Sequence, residues 1–178
     1  MKNSCLIKTF TTSLLLIQLT NALSQSVCID SILINGSIKK YMQYSDFIQT
    51  DLKIDSIIKP DRRNFSDAPD SIIYVGESIF YLDSKNRCDA KSIWFDKISS
   101  VKLGKYSVNS STTYRDLLKM FPTGCANTKS IKHVRFRGTI LETCGLTVID
   151  SKGQLWDMRI IFFLRDNKLI GLDFWEPI

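Results

Sequence analysis

The chain has 178 residues, a formal net charge of +6, ten phenylalanines, six tyrosines and three tryptophans. This length suits one ordinary domain or two small modules that share a core, and the aromatic content excludes a disordered protein. Because charges of both signs are mixed along the chain, the net charge fits a solvated basic surface as well as a face for an acidic protein, glycan or lipid.

Residues 1–24 have the pattern of a secretory signal peptide. A positive head, Met1–Lys2, precedes an apolar stretch from Thr12 to Leu19, and the small residues Ala22 and Ser24 follow. The stretch is shorter than the roughly 20 apolar residues that a membrane span needs. We therefore expect cleavage after Ala22 or Ser24, an exported product that is periplasmic or secreted, and no stable membrane anchor. Cytosolic nucleotide chemistry and nucleic-acid binding are disfavoured by the same argument.

Four cysteines lie beyond that segment: Cys28, Cys88, Cys125 and Cys144. An even number of cysteines in an exported chain predicts two disulfides. Of the three pairings we favour Cys125–Cys144, which closes a short loop, together with Cys28–Cys88, which ties the N terminus to the rest of the protein. The sequence has no CxxC spacing and a single histidine, which argues against zinc. We expect no metal and no cofactor.

The segment 25–102 is predicted to form a first module of a helix followed by strands. Residues 37–52 have helical character. Strand patterns follow at 71–75, 78–82 and 92–98. Gly76–Glu77 predicts a tight turn between the first two strands, and one long bulged strand is the alternative.

The segment 103–178 repeats that order, so the expected fold class is α+β, an antiparallel sheet packed by helices in two similar tandem modules. A helix is predicted over 110–121, because hydroxyl residues precede it and Pro122–Gly124 ends it. Strand patterns follow at 132–137, 139–149, 155–165 and 169–175. Two such modules are also compatible with a single compact domain.

The last two strand patterns predict a hairpin that is apolar on both faces. A three-residue loop, Asp166–Lys168, pairs Leu164 with Ile170 and Phe162 with Leu172 on one face, and it sets Arg159 opposite Trp175 on the other. The second face also carries Ile161 and Phe163. So much apolar surface indicates that this face is either covered or used for binding.

The sequence contains no recognisable catalytic pattern. It has no GxSxG turn, no phosphate-binding glycine loop and no evident pair of carboxylates. His133, Arg135 and Arg137 share one face of a strand, which is typical of a polar surface or of a basic patch for a carboxylate-rich partner. A hydrolase whose two carboxylates converge from distant residues stays an alternative.

Three segments of the second half and a fainter copy in the first carry a resemblance to known families. They are Asp116–Pro122, Ile160–Leu164 and Leu169–Trp175, with the copy running from Ser45 to Ile98. Their order resembles the tandem module of the secreted β-lactamase-inhibitor proteins, and one module is similar to the BamE-type outer-membrane-assembly lipoproteins. The chain lacks the lipid-modified cysteine of the latter. The resemblance implies a binding protein whose sheet and loops hold another protein, and no functional residue is carried over from it.

We therefore expect an exported protein that binds another protein, such as an inhibitor or immunity protein that occludes a toxin or an enzyme. An envelope-assembly scaffold is the alternative, and a hydrolase comes third. Aromatic residues and arginine dominate the energetics of interfaces. The expected contact residues are Trp94, Arg135, Arg137, Arg159 and Trp175. Trp156, on the apolar stripe, is expected to lie in the core.

Overall fold

The computed structural model describes residues 26–60, 69–133 and 138–176, and these are mainly β-structure. Strands make up 53 % and helices 10 % of the described residues, arranged in two sheets. The predicted α+β tandem of helix-then-sheet modules is therefore wrong. The predicted signal segment, Arg135 and Arg137 lie outside the described residues.

The strands in chain order are β1 (Val27–Cys28), β2 (Ile32–Ile34), β3 (Ile38–Lys39), β4 (Tyr41–Gln43), β5 (Ser56–Ile58), β6 (Ser71–Val75), β7 (Ser78–Leu82), β8 (Arg87–Trp94), β9 (Val101–Leu103), β10 (Tyr106–Val108), β11 (Lys129–His133), β12 (Thr139–Ile149), β13 (Leu155–Arg165) and β14 (Lys168–Trp175). The described α-helices are α1 (Tyr44–Phe47) and α2 (Tyr114–Met120), and Ile29–Ser31 forms a 3-10 turn. None of the described helices is long and apolar enough to cross a membrane.

The predicted first helix, over 37–52, accounts for much of the error in fold class. β3 and β4 occupy its first half, and only Tyr44–Phe47 is α-helical. β4 pairs with β8, where Tyr41 lies opposite Asp89. This long-range strand pairing overrides the local helical periodicity, because helix propensity is a weak determinant beside tertiary contacts.

The large sheet has the order β1-β12-β13-β14-β8-β7-β6-β5, with β11 also beside β12 and β4 also beside β8. The small sheet has the order β10-β9-β2-β3. β1 runs parallel to β12, and the other described pairs are antiparallel. The predicted boundary between the two modules, after residue 102, falls within β9. The β8–β14 and β1–β12 pairs join strands from either side of it.

The main core lies between the inner face of the large sheet and the small sheet. Ile160 and Phe162 of β13 and Ile32 of the small sheet are all fully buried and belong to one apolar cluster. α2 closes one side of this core, where the ring of Phe121 stacks 5.8 Å from that of Phe162. Alternate residues of β2, β6 and β9 are buried, because side chains of a strand point to opposite faces in turn.

Several predicted elements are confirmed. β6, β7, β12 and β13 have the predicted bounds, and Gly76–Glu77 forms the predicted turn, with Gly76 at φ +58°. α2 lies within the predicted helix 110–121, and its start carries a capping box. The Thr113 hydroxyl accepts a hydrogen bond from the Asp116 amide (3.2 Å), and the Asp116 carboxylate accepts one from the Thr113 amide (3.0 Å).

The β13–β14 hairpin has the predicted pairing away from its turn, but beside the turn Leu164 lies opposite Leu169 and not opposite Ile170 as predicted. Phe162 lies opposite Leu172 and Arg159 opposite Trp175, as predicted. The turn has two residues, Asp166 and Asn167, both at positive φ (51° and 62°), which suits the twist of a hairpin. A two-residue turn alone would move β14 by one residue against β13, so that side chains of opposite faces would be paired. A bulge after Phe163 compensates for this shift and keeps the predicted faces together.

The Cys125–Cys144 disulfide is confirmed, with Cα atoms 4.9 Å apart. The predicted Cys28–Cys88 bond is wrong, since both thiols are free. Cys28 lies on β1 and Cys88 on β8, four inter-strand steps or about 19 Å apart along the sheet, whereas a disulfide needs Cα atoms within about 7 Å. Burial raises the pKa of the Cys88 thiol to about 12, which keeps it protonated and unreactive.

The disulfide closes a loop across 19 positions of sequence. We expect the double variant Cys125→Ser/Cys144→Ser to lose about 3 kcal/mol of unfolding free energy, because the open chain regains loop entropy. Urea denaturation measures the loss, with Cys28→Ser as the matched control that removes a free thiol. Equal stabilities of the double variant and the control contradict this prediction.

Candidate functional site

The outer face of the large sheet, which points away from the small sheet, carries its own apolar cluster. Trp94, Leu141 and Phe163 are at most 3 % exposed. The rings of Trp94 and Phe163 stack at 5.3 Å with an interplanar angle of 15°. His133 on β11 packs edge-on against both rings, 4.9 Å from Phe163 and 5.6 Å from Trp94. This outer cluster fixes the floor of the open face.

Trp94 therefore contributes from beneath the surface and not as an exposed contact. It lies opposite Gly171 on β14, and a Cβ atom there would overlap the indole and approach the Ile93 carbonyl oxygen to 2.7 Å. The indole Nε1 donates a hydrogen bond to the Ser92 hydroxyl (2.8 Å), which donates to the Asp173 carboxylate (2.5 Å). Glycine at 171 and this hydrogen-bond chain hold the indole flat against the sheet.

Three clefts lie side by side across this face, and together we call them the outer groove. The basic cleft, about 440 Å³, is lined by residues of β11 to β14 and includes Trp175. The middle cleft, about 410 Å³, shares Trp175 with it. The far cleft, about 310 Å³, shares Tyr81 and Lys91 with the middle one. Each volume falls within the roughly 300–1,000 Å³ of ligand pockets.

The far cleft is built on a network of opposite charges. The Lys91 ammonium lies 2.7 Å from the Asp89 carboxylate and 2.8 Å from that of Glu176. Lys40, with 1 % of its side chain exposed, contacts Asp89 and lies 4.0 Å from Glu176. The Tyr41 hydroxyl donates to Glu176 at 2.9 Å. The two ammonium groups and the two carboxylates balance one another.

Burial and pairing shift the pKa values of this network in opposite directions. Burial lowers the pKa of Lys40 to about 8, although the Asp89 carboxylate opposes the shift. The pKa of Lys91 is raised, because its hydrogen bonds to Asp89 and Glu176 outweigh its burial. The pKa of Glu176 is lowered, because Lys91 and Tyr41 outweigh its burial. The carboxylate of Glu176 thereby fastens the end of β14 to β8 and β4.

The basic cleft has a different electrostatic character. Among the described residues no carboxylate lies within 4.0 Å of the Lys129 ammonium or the Arg159 guanidinium, and the lining contains no acidic side chain. Trp175 is 48 % exposed and Ile131 37 %. Ile161 lines the same cleft.

The backbone beneath the basic cleft is held closely. The Gly145 amide donates to the Gly124 carbonyl (3.3 Å), and a Cβ atom at Gly124 would lie 2.7 Å from the Gly145 oxygen. The neighbouring disulfide joins the same two segments. Glycine at both positions and the covalent bond therefore fix the end of α2 against β12.

The structure brings two of the predicted contact residues together, Arg159 and Trp175, and places Trp94 apart from them, opposite Gly171 and in the lining of a separate cleft. In the described part of the chain the close cation–ring contacts are made by lysines, so the Arg159 guanidinium does not stack on Trp175. Trp156 is 41 % exposed and stacks on Tyr41 at 6.4 Å. Its predicted core position is wrong because the register shifts after Thr147 and changes the alternation of β13.

Sequence reasoning missed most of the other residues that line the outer groove. Lys129 and Ile131 alternate with His133 on β11. A strand pattern extended from residue 132 towards the N terminus would therefore have placed both residues on the face of His133. Lys91 and Glu176 carried no such signal, since they meet only through the β8–β14 pairing.

No protein-family model, curated protein or solved structure matches the chain. The resemblance to the β-lactamase-inhibitor and BamE-type proteins therefore stays a prediction and assigns no residue of the groove. No group of three or more metal-ligating side chains occurs within residues 26–60, 69–133 and 138–176.

The buried Lys40 predicts a specific pH dependence of stability. Its folded-state pKa of about 8 lies below the ordinary value of 10.5, so the unfolded chain binds more protons between these values and stability rises with pH. We expect the wild type to gain about 2 kcal/mol of unfolding free energy relative to Lys40→Met between pH 8 and pH 10.

Urea denaturation at several pH values measures this difference. Lys102→Met, which removes an exposed lysine of the small sheet, is the control, and its stability should remain parallel to that of the wild type. A constant difference between wild type and Lys40→Met across the interval contradicts the assignment.

Proposed function

We propose that this protein is exported to the periplasm or the outside of the cell and binds another protein along the outer groove. The concrete form of the proposal is an inhibitor or immunity protein that occludes a toxin or an enzyme by covering its surface. The observation that carries the proposal is the position of Trp175. It is nearly half exposed, and it forms the wall that the basic and middle clefts share.

The composition of the groove supports a protein partner. Tryptophan, tyrosine and arginine are the residues that contribute most often to binding hot spots, and Trp175, Tyr81 and Arg159 line successive parts of the groove. An exposed tryptophan offers a large contact area and has few rotamers to immobilise on binding.

The support beneath the groove favours binding without rearrangement. The outer cluster is a rigid apolar unit on the same face of the sheet, the disulfide holds the basic end, and the Lys91–Glu176 pair holds the far end. A surface that is ordered before binding loses less conformational entropy when it binds. Occlusion of a partner needs only such a surface and no chemical step.

The export half of the proposal is supported by the Cys125–Cys144 disulfide, since structural disulfides persist in oxidising compartments and are rare in the cytosol. The signal-peptide pattern of residues 1–24 also indicates export.

The chain contains its own matched pair for testing the interface. Trp175 and Trp156 are similarly exposed, at 48 % and 41 %, but only Trp175 lines the clefts of the groove. The oxidised mature chain is immobilised and used to capture proteins from envelope and secreted fractions of the host. We expect one dominant partner at equal stoichiometry, with binding roughly 30-fold weaker for Trp175→Ala, the loss of about 2 kcal/mol typical of a hot spot.

Trp156→Ala should bind that partner within about threefold of wild type, as most surface positions outside a hot spot do. Equal losses for the two variants, or capture that is indifferent to Trp175→Ala, contradict an interface in the outer groove. Circular dichroism of each variant checks that the fold is retained.

A further inference from the structure

We propose that the partner inserts an acidic and apolar segment into the basic cleft, where its carboxylates meet Lys129 and Arg159 and its apolar side chains contact Trp175. This inference rests on the proposed function and specifies the chemistry of the partner.

The charge of the basic cleft is the first observation that supports this proposal. Lys129 and Arg159 line it, and among the described residues no carboxylate lies within 4.0 Å of either cation. At the other end of the groove, by contrast, Asp83 lies 2.7 Å from Arg87, and Asp89 and Glu176 pair with Lys91. The groove therefore has one end whose charges are satisfied within the chain and one end whose positive charges are left for a partner. Complementary charge across an interface selects the partner and its orientation.

The apolar residues of the basic cleft are the second observation that supports this proposal. Ile131, Ile161 and Trp175 line the same cleft as the two cations, and we call these three residues its apolar wall. A free inorganic anion would leave this wall in water. A segment in which Asp or Glu alternates with Leu or Phe satisfies both the cations and the wall.

The polar lining favours a protein segment over an acidic glycan. The uncharged polar side chains of the basic cleft are Asn127 and Thr143, and the Thr143 hydroxyl already donates to the Lys129 carbonyl oxygen at 3.0 Å. A sugar carries many hydroxyl groups, each of which needs a hydrogen-bond partner when it is buried, and two uncharged polar side chains supply few such partners. Two cations beside an aliphatic and aromatic wall fit a carboxylate with an apolar neighbour.

A random heptapeptide library displayed on phage is the probe. It is selected against the immobilised mature protein and, in parallel, against the charge-reversed variant Lys129→Glu/Arg159→Glu. Lys102→Glu/Lys152→Glu is the matched control, because it makes the same change in net charge at two exposed lysines outside the clefts. Heparin binding to all three proteins is measured beside the selections.

We expect peptides rich in Asp or Glu next to Leu or Phe from the wild type and from the control. The best of them should bind the charge-reversed variant roughly tenfold or more weakly, the size of effect expected for a residue within a hot spot. Selected peptides without acidic residues, or acidic peptides that bind the charge-reversed variant equally well, overturn the inference and leave the proposed function standing. Enrichment of no peptide overturns the inference, and the capture experiment with Trp175→Ala decides the proposed function separately. Heparin binding that depends on Lys129 and Arg159, with no acidic peptide selected, assigns the cleft to a glycan and also overturns the inference.

Discussion

The burial of β13 on both of its faces is the constraint on which the rest of the structure depends. Phe162 points into the main core and Phe163 into the outer cluster, and both are at most 3 % exposed. A strand that is apolar on both sides must be covered on both sides. The small sheet and α2 cover the inner side. On the outer side Trp94 and His133 cover only the centre, so the groove occupies the part of this face that the chain leaves open.

The two ends of the outer groove differ because of how their charges are paired. At the far end a fully buried ammonium, that of Lys40, requires carboxylates beside it, since an unpaired buried charge is strongly destabilising. Asp89 and Glu176 meet that need and also bind Lys91. Their charges thus stabilise the fold. Lys129 and Arg159, by contrast, have no carboxylate within 4.0 Å among the described residues. We therefore assign the basic end of the groove to recognition.

Local patterns in the sequence predicted local structure well and long-range structure poorly. The alternation of β12 and β13 and the capping residues of α2 are properties of neighbouring residues, and these elements were found. The strands β3 and β4 were predicted as helix, because their conformation is decided by pairing with strands elsewhere in the chain. The groove was only half predicted for the same reason. Arg159 and Trp175 are joined by a hairpin, whereas Lys91 and Glu176 are brought together by the order of strands in the sheet.

Photo-crosslinking inside the host tests the central claim, that the outer groove is a protein interface, most directly. A photoreactive benzoylphenylalanine replaces Asn127, an exposed residue that lines the basic cleft, in one strain and Lys102 on the small sheet in another. We expect irradiation to join the chain to one exported protein through position 127 and to none through position 102. Cross-links formed through position 102 and absent at position 127 contradict this account and place the interface on the opposite side of the molecule.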